Sequence, residues 1–202
     1  QISLHATTES ASQTLGVRLL DGAGNELAAN TAAAAGSDAW LGPIDLTSQD
    51  NYQLEINSAS GTGLVTLEAI VNAAVEGETR TGTANDNPAD AESIDGLFAS
   101  MAGVQRATIL GSASTDWYRF TLNDGQAISL ATRGINAGST PDLELYAADG
   151  NTQLASGMMT EDQTNLINLF TDLTTDGSAN TYLIKIDSNN GGGSYVLSAL
   201  RD

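Results

Sequence analysis

The chain has 202 residues, no cysteine and a formal net charge of −18, from 25 acidic against 7 basic residues. The missing cysteine removes disulfides, thiol nucleophiles and cysteine metal sites together. The scarcity of bases excludes nucleic acid and anionic membrane surfaces as partners, because both are held by clustered Lys and Arg. Apolar residues alternate with polar ones, which is the period of half-buried strands. In chain order this predicts strands at 1–8, 15–20, 26–30, 38–41, 51–57 and 64–71. Residues 76–90 are polar and rich in Gly and Thr, as a linker is, and 93–101 has room for a turn or two of helix. Strands follow at 104–111, 116–122, 126–133, 142–148, 165–171, 180–187 and 194–200. Turn residues separate them at Asn123-Asp-Gly125, Asp149-Gly-Asn151, Asp176-Gly177 and Asn189-Asn-Gly-Gly-Gly193. No stretch is long and apolar enough to form a membrane-spanning helix.

The two runs of strands repeat one another. Asp50-Asn-Tyr-Gln-Leu-Glu-Ile-Asn-Ser58 aligns without a gap on Asn180-Thr-Tyr-Leu-Ile-Lys-Ile-Asp-Ser188, and Leu67 falls on Leu197. Upstream, Ile2-Ser3-Leu4 matches Ile128-Ser129-Leu130, and Gly24-Asn25 matches Gly150-Asn151. The first copy has no counterpart of 104–111 or of 116–122. The expected fold is therefore all-β, with two tandem antiparallel β-sandwich (jelly-roll-like) domains. Residues 1–75 form an N-terminal sandwich lacking its opening strands, 76–92 a linker, and 93–202 a complete sandwich. The chain opens at Gln1 with no initiator Met and no signal peptide, as a mature processed protein or an excised piece would.

The second copy resembles the bacterial pre-peptidase C-terminal domain, a β-sandwich appended to secreted peptidases and found in large surface proteins. The resemblance is carried by Asn85-Asp-Asn-Pro-Ala-Asp-Ala91, Gly111-Ser-Ala-Ser-Thr-Asp-Trp-Tyr-Arg-Phe-Thr-Leu122, Gly125-Gln, Asp142-Leu-Glu-Leu-Tyr-Ala-Ala-Asp-Gly-Asn151, Tyr182-Leu-Ile-Lys-Ile186 and Gly193-Ser-Tyr-Val-Leu197. The first copy resembles only the later two-thirds of the same domain. The resemblance implies a non-catalytic accessory or adhesive module, extracellular or on a bacterial cell surface. Some members of the family bind calcium where the linker meets the sandwich. The positions that match are Asn85, Asp86, Asp90, Glu92 and Asp116, a set rich in the oxygen ligands calcium takes. Acidity also has a plainer meaning, solubility in a salty medium.

Catalysis finds little support. A serine triad needs a histidine base, and the only histidine, His5, reads as a residue on a solvated or edge face of the first strand. Metallohydrolase sites built on His or Cys are closed for the same reason, so no enzyme is expected. Aromatic residues offer a binding face: Trp40, which has no counterpart in the second copy, and Tyr146 are the candidates for contact with an extracellular polymer.

A sandwich short of strands leaves unpaired backbone N–H and C=O groups along an open groove. A clipped upstream segment, a strand folded back from the linker or N-terminal segment, or a neighbouring subunit could fill it. The last would join subunits by strand addition. The expectation is a non-catalytic structural or adhesive subunit, or segment, of a surface or filamentous assembly that self-associates. The alternative is a substrate-binding accessory module of a secreted peptidase or other hydrolase.

Overall fold

A computed structural model describes residues 1–46, 51–101, 103–113, 115–135, 140–173, 177–188 and 193–202. The predicted turns that use Asp176 and residues 189–192 lie outside them. The chain divides into two compact units, Gln1–Ala74 and Val75–Asp202. Both are mainly antiparallel β-structure with a few helical turns, and Glu92–Ser93 pairs in parallel with the strand Thr115–Leu122.

In the first unit the strands are β1 (Ile2–Thr8), β2 (Thr14–Leu20), β3 (Glu26–Thr31), β4 (Ala39–Ile44), β5 (Gln53–Ser60) and β6 (Val65–Val71). They form two three-stranded sheets, β4-β1-β6 and β3-β2-β5. The alternation seen in the sequence places Leu4 and Ala6 of β1 against Leu15, Val17 and Leu19 of β2, and these residues with Ala39 and Leu41 make the core. His5 lies on the central strand of its sheet, not at an edge, and stands partly exposed on the face opposite the core.

Strand β7 (Ala74–Val75) falls at the boundary between the units, and the second unit contains helix α1 (Gly77–Thr81), β8 (Glu92–Ser93), β9 (Ala99–Met101), β10 (Val104–Ala113), β11 (Thr115–Leu122), β12 (Ala127–Gly134), β13 (Asp142–Ala147), β14 (Gln153–Ser156), β15 (Met158–Met159), β16 (Thr164–Thr171), β17 (Asn180–Asp187) and β18 (Gly193–Arg201). One sheet runs β15-β16-β12-β18-β10-β7, with β9 beside β10, and the other runs β14-β13-β17-β11-β8. The stretch 93–101 holds one turn of helix, a 3₁₀ turn at Asp95–Leu97, followed by the strand β9.

The two units share strand order and register. Ile2 pairs with Val71 as Ile128 pairs with Arg201, and Val17 pairs with Ile56 as Leu143 pairs with Ile186. Even the irregularities coincide: a shift between Ile2 and Leu4 recurs between Ile128 and Leu130, and one between Leu19 and Leu20 recurs between Leu145 and Tyr146. A one-residue slip would turn every inward side chain outward, so this agreement fixes which positions correspond.

Residues 76–92 are not a free linker. The segment belongs to the second unit, where Glu76 and Asn85 are buried. The reason is local. Gly82 closes α1 in the left-handed conformation and donates to the Glu78 carbonyl at 2.7 Å. Asn87 caps the 3₁₀ turn Pro88–Asp90 by accepting from the Ala89 amide. Glu92–Ser93 then lies parallel to β11, opposite Tyr118 and Arg119.

Candidate functional site

Strand alternation in β11 sends Asp116, Tyr118, Phe120 and Leu122 to one face, and all four are buried. A carboxylate on the inward face of a core strand needs partners. Tyr195 of β18 supplies one, its hydroxyl 2.5 Å from Asp116 Oδ2. The Tyr195 and Tyr118 hydroxyls are 2.5 Å apart, and the Tyr118 hydroxyl donates to Glu76 Oε2 at 2.8 Å. Glu76 Oε1 also accepts from the Ser112 amide at 2.6 Å and the Thr79 hydroxyl at 2.7 Å. A chain of four side chains thus crosses the interior and fastens the start of the supposed linker to the sandwich.

Proton counting constrains this chain. Three oxygen–oxygen contacts join Asp116, Tyr195, Tyr118 and Glu76, and each needs one proton between its atoms. The two phenols bring two. Asp116 is the acid better placed to supply the third: its carboxyl is pushed up to about 7, first by burial and then by the nearby Glu76 charge, with Glu78 and Asp86 pushing the same way against the Tyr195 hydroxyl. Burial likewise holds both phenols well above their ordinary range.

The five positions matched to calcium separate into two groups. Asn85 and Asp116 lie together: the Trp117 amide donates to the Asn85 carbonyl, and Asn85 Nδ2 donates to the Trp117 carbonyl at 3.0 Å. Asn85 Oδ1 and Asp116 Oδ1 are buried and have no hydrogen-bond donor. Such orphaned acceptors fit a cation. Asp86 is near enough to raise the Asp116 pKa. Asp90 and Glu92 are engaged elsewhere. Asp90 accepts from Asn87 Nδ2, and Glu92 accepts from the Gly77 amide and stands 3.8 Å from Arg80. Among the described residues no three Asp, Glu or His side chains converge as a ready-made metal site.

The aromatic candidates are partly covered. Trp40 sits opposite His5 in the β1–β4 ladder and stacks on its ring, with centroids 3.6 Å apart and planes within 5°. His5 Nε2 is hydrogen-bonded to Asp38 at 2.8 Å, which fixes the ring. Tyr146 packs against Trp117 at 5.1 Å and donates its hydroxyl to Glu144. Each of the two therefore already has an aromatic ring against it.

A further feature emerges from comparing equivalent strands. In the second unit β17 and β18 contribute six core residues: Tyr182, Ile184, Ile186, Tyr195, Leu197 and Ala199. Their counterparts in the first unit are Tyr52, Leu54, Ile56, Val65, Leu67 and Ala69, and none of them is fully buried. Ile184 is 0% exposed, whereas Leu54 is 40% exposed. The cause is the next strand out. β18 is flanked by β10 and β17 by β11, whereas β6 and β5 each end their sheet among the described residues.

The chain matches no protein-family model and no curated protein sequence. Among solved structures it is similar to the pre-peptidase C-terminal domain of collagenase from Bacillus anthracis, with 22% identity and a TM-score of 0.40 over 54% of this chain and 93% of that one. It is also similar to PliG, a periplasmic inhibitor of g-type lysozyme from Aeromonas hydrophila, with 14% identity and a TM-score of 0.34 over 55% of this chain and 96% of that one. A third likeness is to carbohydrate-binding modules of the β-sandwich superfamily, with 10% identity and a TM-score of 0.27 over 95% of this chain and 84% of that one. Likenesses this distant do not bear on function, and the all-β fold stands on strand order and register.

Proposed function

We propose that this protein is a non-catalytic, extracellular structural or adhesive β-sandwich protein that joins a surface assembly by accepting strands along the open edge of its first unit. One observation carries the reading. Six positions that build the core of the second unit are left partly or wholly exposed in the first, on the two strands that end its sheets. Strand addition gives affinity through main-chain hydrogen bonds and specificity through alternate side chains. Calcium would serve the second unit, held by Asn85, Asp86 and Asp116, and would neutralise acids that otherwise repel.

Electron microscopy and hydrogen exchange on protein recovered from its native source test the proposal. Filaments or oligomers in which the β5 and β6 amides are protected support it. Native monomers whose β5 and β6 edge amides exchange freely overturn it.

A further inference from the structure

The geometry points to the kind of partner that the open edge takes: a β-arch, one polypeptide segment whose first strand extends the sheet of β6 and whose second strand extends the sheet of β5. This inference deepens the strand-accepting reading and rests on it.

The second unit shows what fills the equivalent place. There β10 pairs along β18, with Ile109 opposite Leu197, Ala107 opposite Ala199 and Gly111 opposite Tyr195. The next strand, β11, starts after a single intervening residue and pairs along β17, with Tyr118 opposite Ile184 and Phe120 opposite Tyr182. These two strands belong to opposite sheets. Because the units agree in register, the same scheme carries over position by position. The incoming first strand places an apolar residue opposite Leu67 and small residues opposite Val65 and Ala69. The second strand places apolar residues opposite Leu54 and Tyr52. A β-hairpin would extend one sheet and leave the other edge open, so it does not fit.

Charge narrows the partner further. The first unit holds eight acids and one Arg or Lys, Arg18. The segment that closes the second unit, Val104–Leu122, carries Arg106 and Arg119 against one acid, Asp116, in a chain that is otherwise strongly negative. A second copy offering its own β5–β6 edge would bring like charge to like charge. The partner is therefore a polypeptide segment that presents an arch with alternate apolar residues and a net positive charge.

The test uses the whole chain and a synthetic peptide copying 104–122 with Asp116→Val, since Val65 stands in the first unit where Tyr195 holds Asp116 in the second. Hydrogen exchange with mass spectrometry reads β5 and β6 separately. The expected result is at least tenfold slower exchange in both strands at saturating peptide, and none with a peptide that also carries Ile109→Asp and Phe120→Asp. Protection of neither strand, or of one alone, overturns the arch. Protection that needs no peptide and grows with chain concentration identifies a second copy as the occupant, which overturns the arch but leaves assembly standing. Peptide protection with native protein that is monomeric and open at that edge removes the assembly reading instead.

Discussion

Replacing Asp116 by Asn tests the buried acid–phenol chain through the pH dependence of stability. The native carboxyl titrates at about 7, against 3.8 for the unperturbed group. A raised native pKa means that the folded state holds the proton more tightly than the unfolded state. The stabilisation is complete below pH 3.8 and is lost as the pH rises through about 7. At about 1.36 kcal/mol per pKa unit, the loss attributable to Asp116 is on the order of 4 kcal/mol. Asn keeps the donor that the protonated acid offers to Tyr195 and cannot ionise. Asp116→Asn is therefore expected to match the parent within about 1 kcal/mol at pH 4 and to exceed it by as much as about 4 kcal/mol at pH 8.

The two tryptophans allow a clean assay, since Trp40 lies in the first unit and Trp117 in the second. In a Trp40→Phe background, urea unfolding followed by fluorescence reports the second unit alone. EDTA keeps cations from competing with the proton. Parent and variant curves that run parallel from pH 4 to pH 8 would refute both the third proton and its placement on Asp116.

Equivalent core substitutions separate the two units. Ile184→Ala should cost about 2–5 kcal/mol, whereas Leu54→Ala, already 40% exposed, should cost under about 1 kcal/mol; equal losses in urea unfolding would contradict the open edge. Glu76→Ala strips an acceptor from the Ser112 amide, the Thr79 hydroxyl and the Tyr118 hydroxyl. It should destabilise the second unit by several kcal/mol, at about 1–3 kcal/mol per orphaned donor, and make Arg80 susceptible to trypsin; unchanged cleavage would show that the segment is held by other contacts. Calcium should raise the melting temperature of the second unit more at pH 8 than at pH 5, because a carboxylate must shed its proton to bind a cation. Identical melting in calcium and in EDTA at pH 8 would remove the ion.

Much of this architecture was legible because strand periodicity and an internal repeat are written directly in side-chain order. The alternation Tyr118-x-Phe120-x-Leu122 named one buried face, and carried back two residues it also places Asp116 inside. The partner of that acid was not legible. Glu76 stands among Gly and Thr residues whose composition reads as solvated chain, and only the long-range closure of β11 and β18 brings it to Tyr118, 42 residues away in sequence. The calcium set divided for a similar reason: the Asn-Asp-Asn-Pro spelling does not say that Asp90 turns back to Asn87 while Asn85 turns toward Trp117. Trp40 stands out in the sequence for lacking a counterpart in the second copy, but its pairing with His5 across two strands follows from register, not from local sequence.

The composition of β5 and β6 is itself informative about what the first unit is built for. A sheet edge that stays in water is ordinarily blunted with Lys, Pro or a bulge, and its inward residues need not be apolar. Neither strand contains Lys or Pro, the ladder irregularity of β5 is confined to its end opposite Thr14 and Leu15, and their acids, Glu55 and Glu68, lie beside Arg18 and His5. Around those acids the sequence keeps Tyr52, Leu54, Ile56, Val65 and Leu67, apolar or aromatic residues at the positions that the second unit buries completely or nearly so with Tyr182, Ile184, Ile186, Tyr195 and Leu197. Fully burying each such side chain contributes about 1.5–3 kcal/mol, which is unrealised while the edge is open and available to whatever closes it. The first unit therefore carries the inward face of a complete sandwich on strands that end their sheets among the described residues, and the free energy of finishing that core is what would hold a closing segment in place.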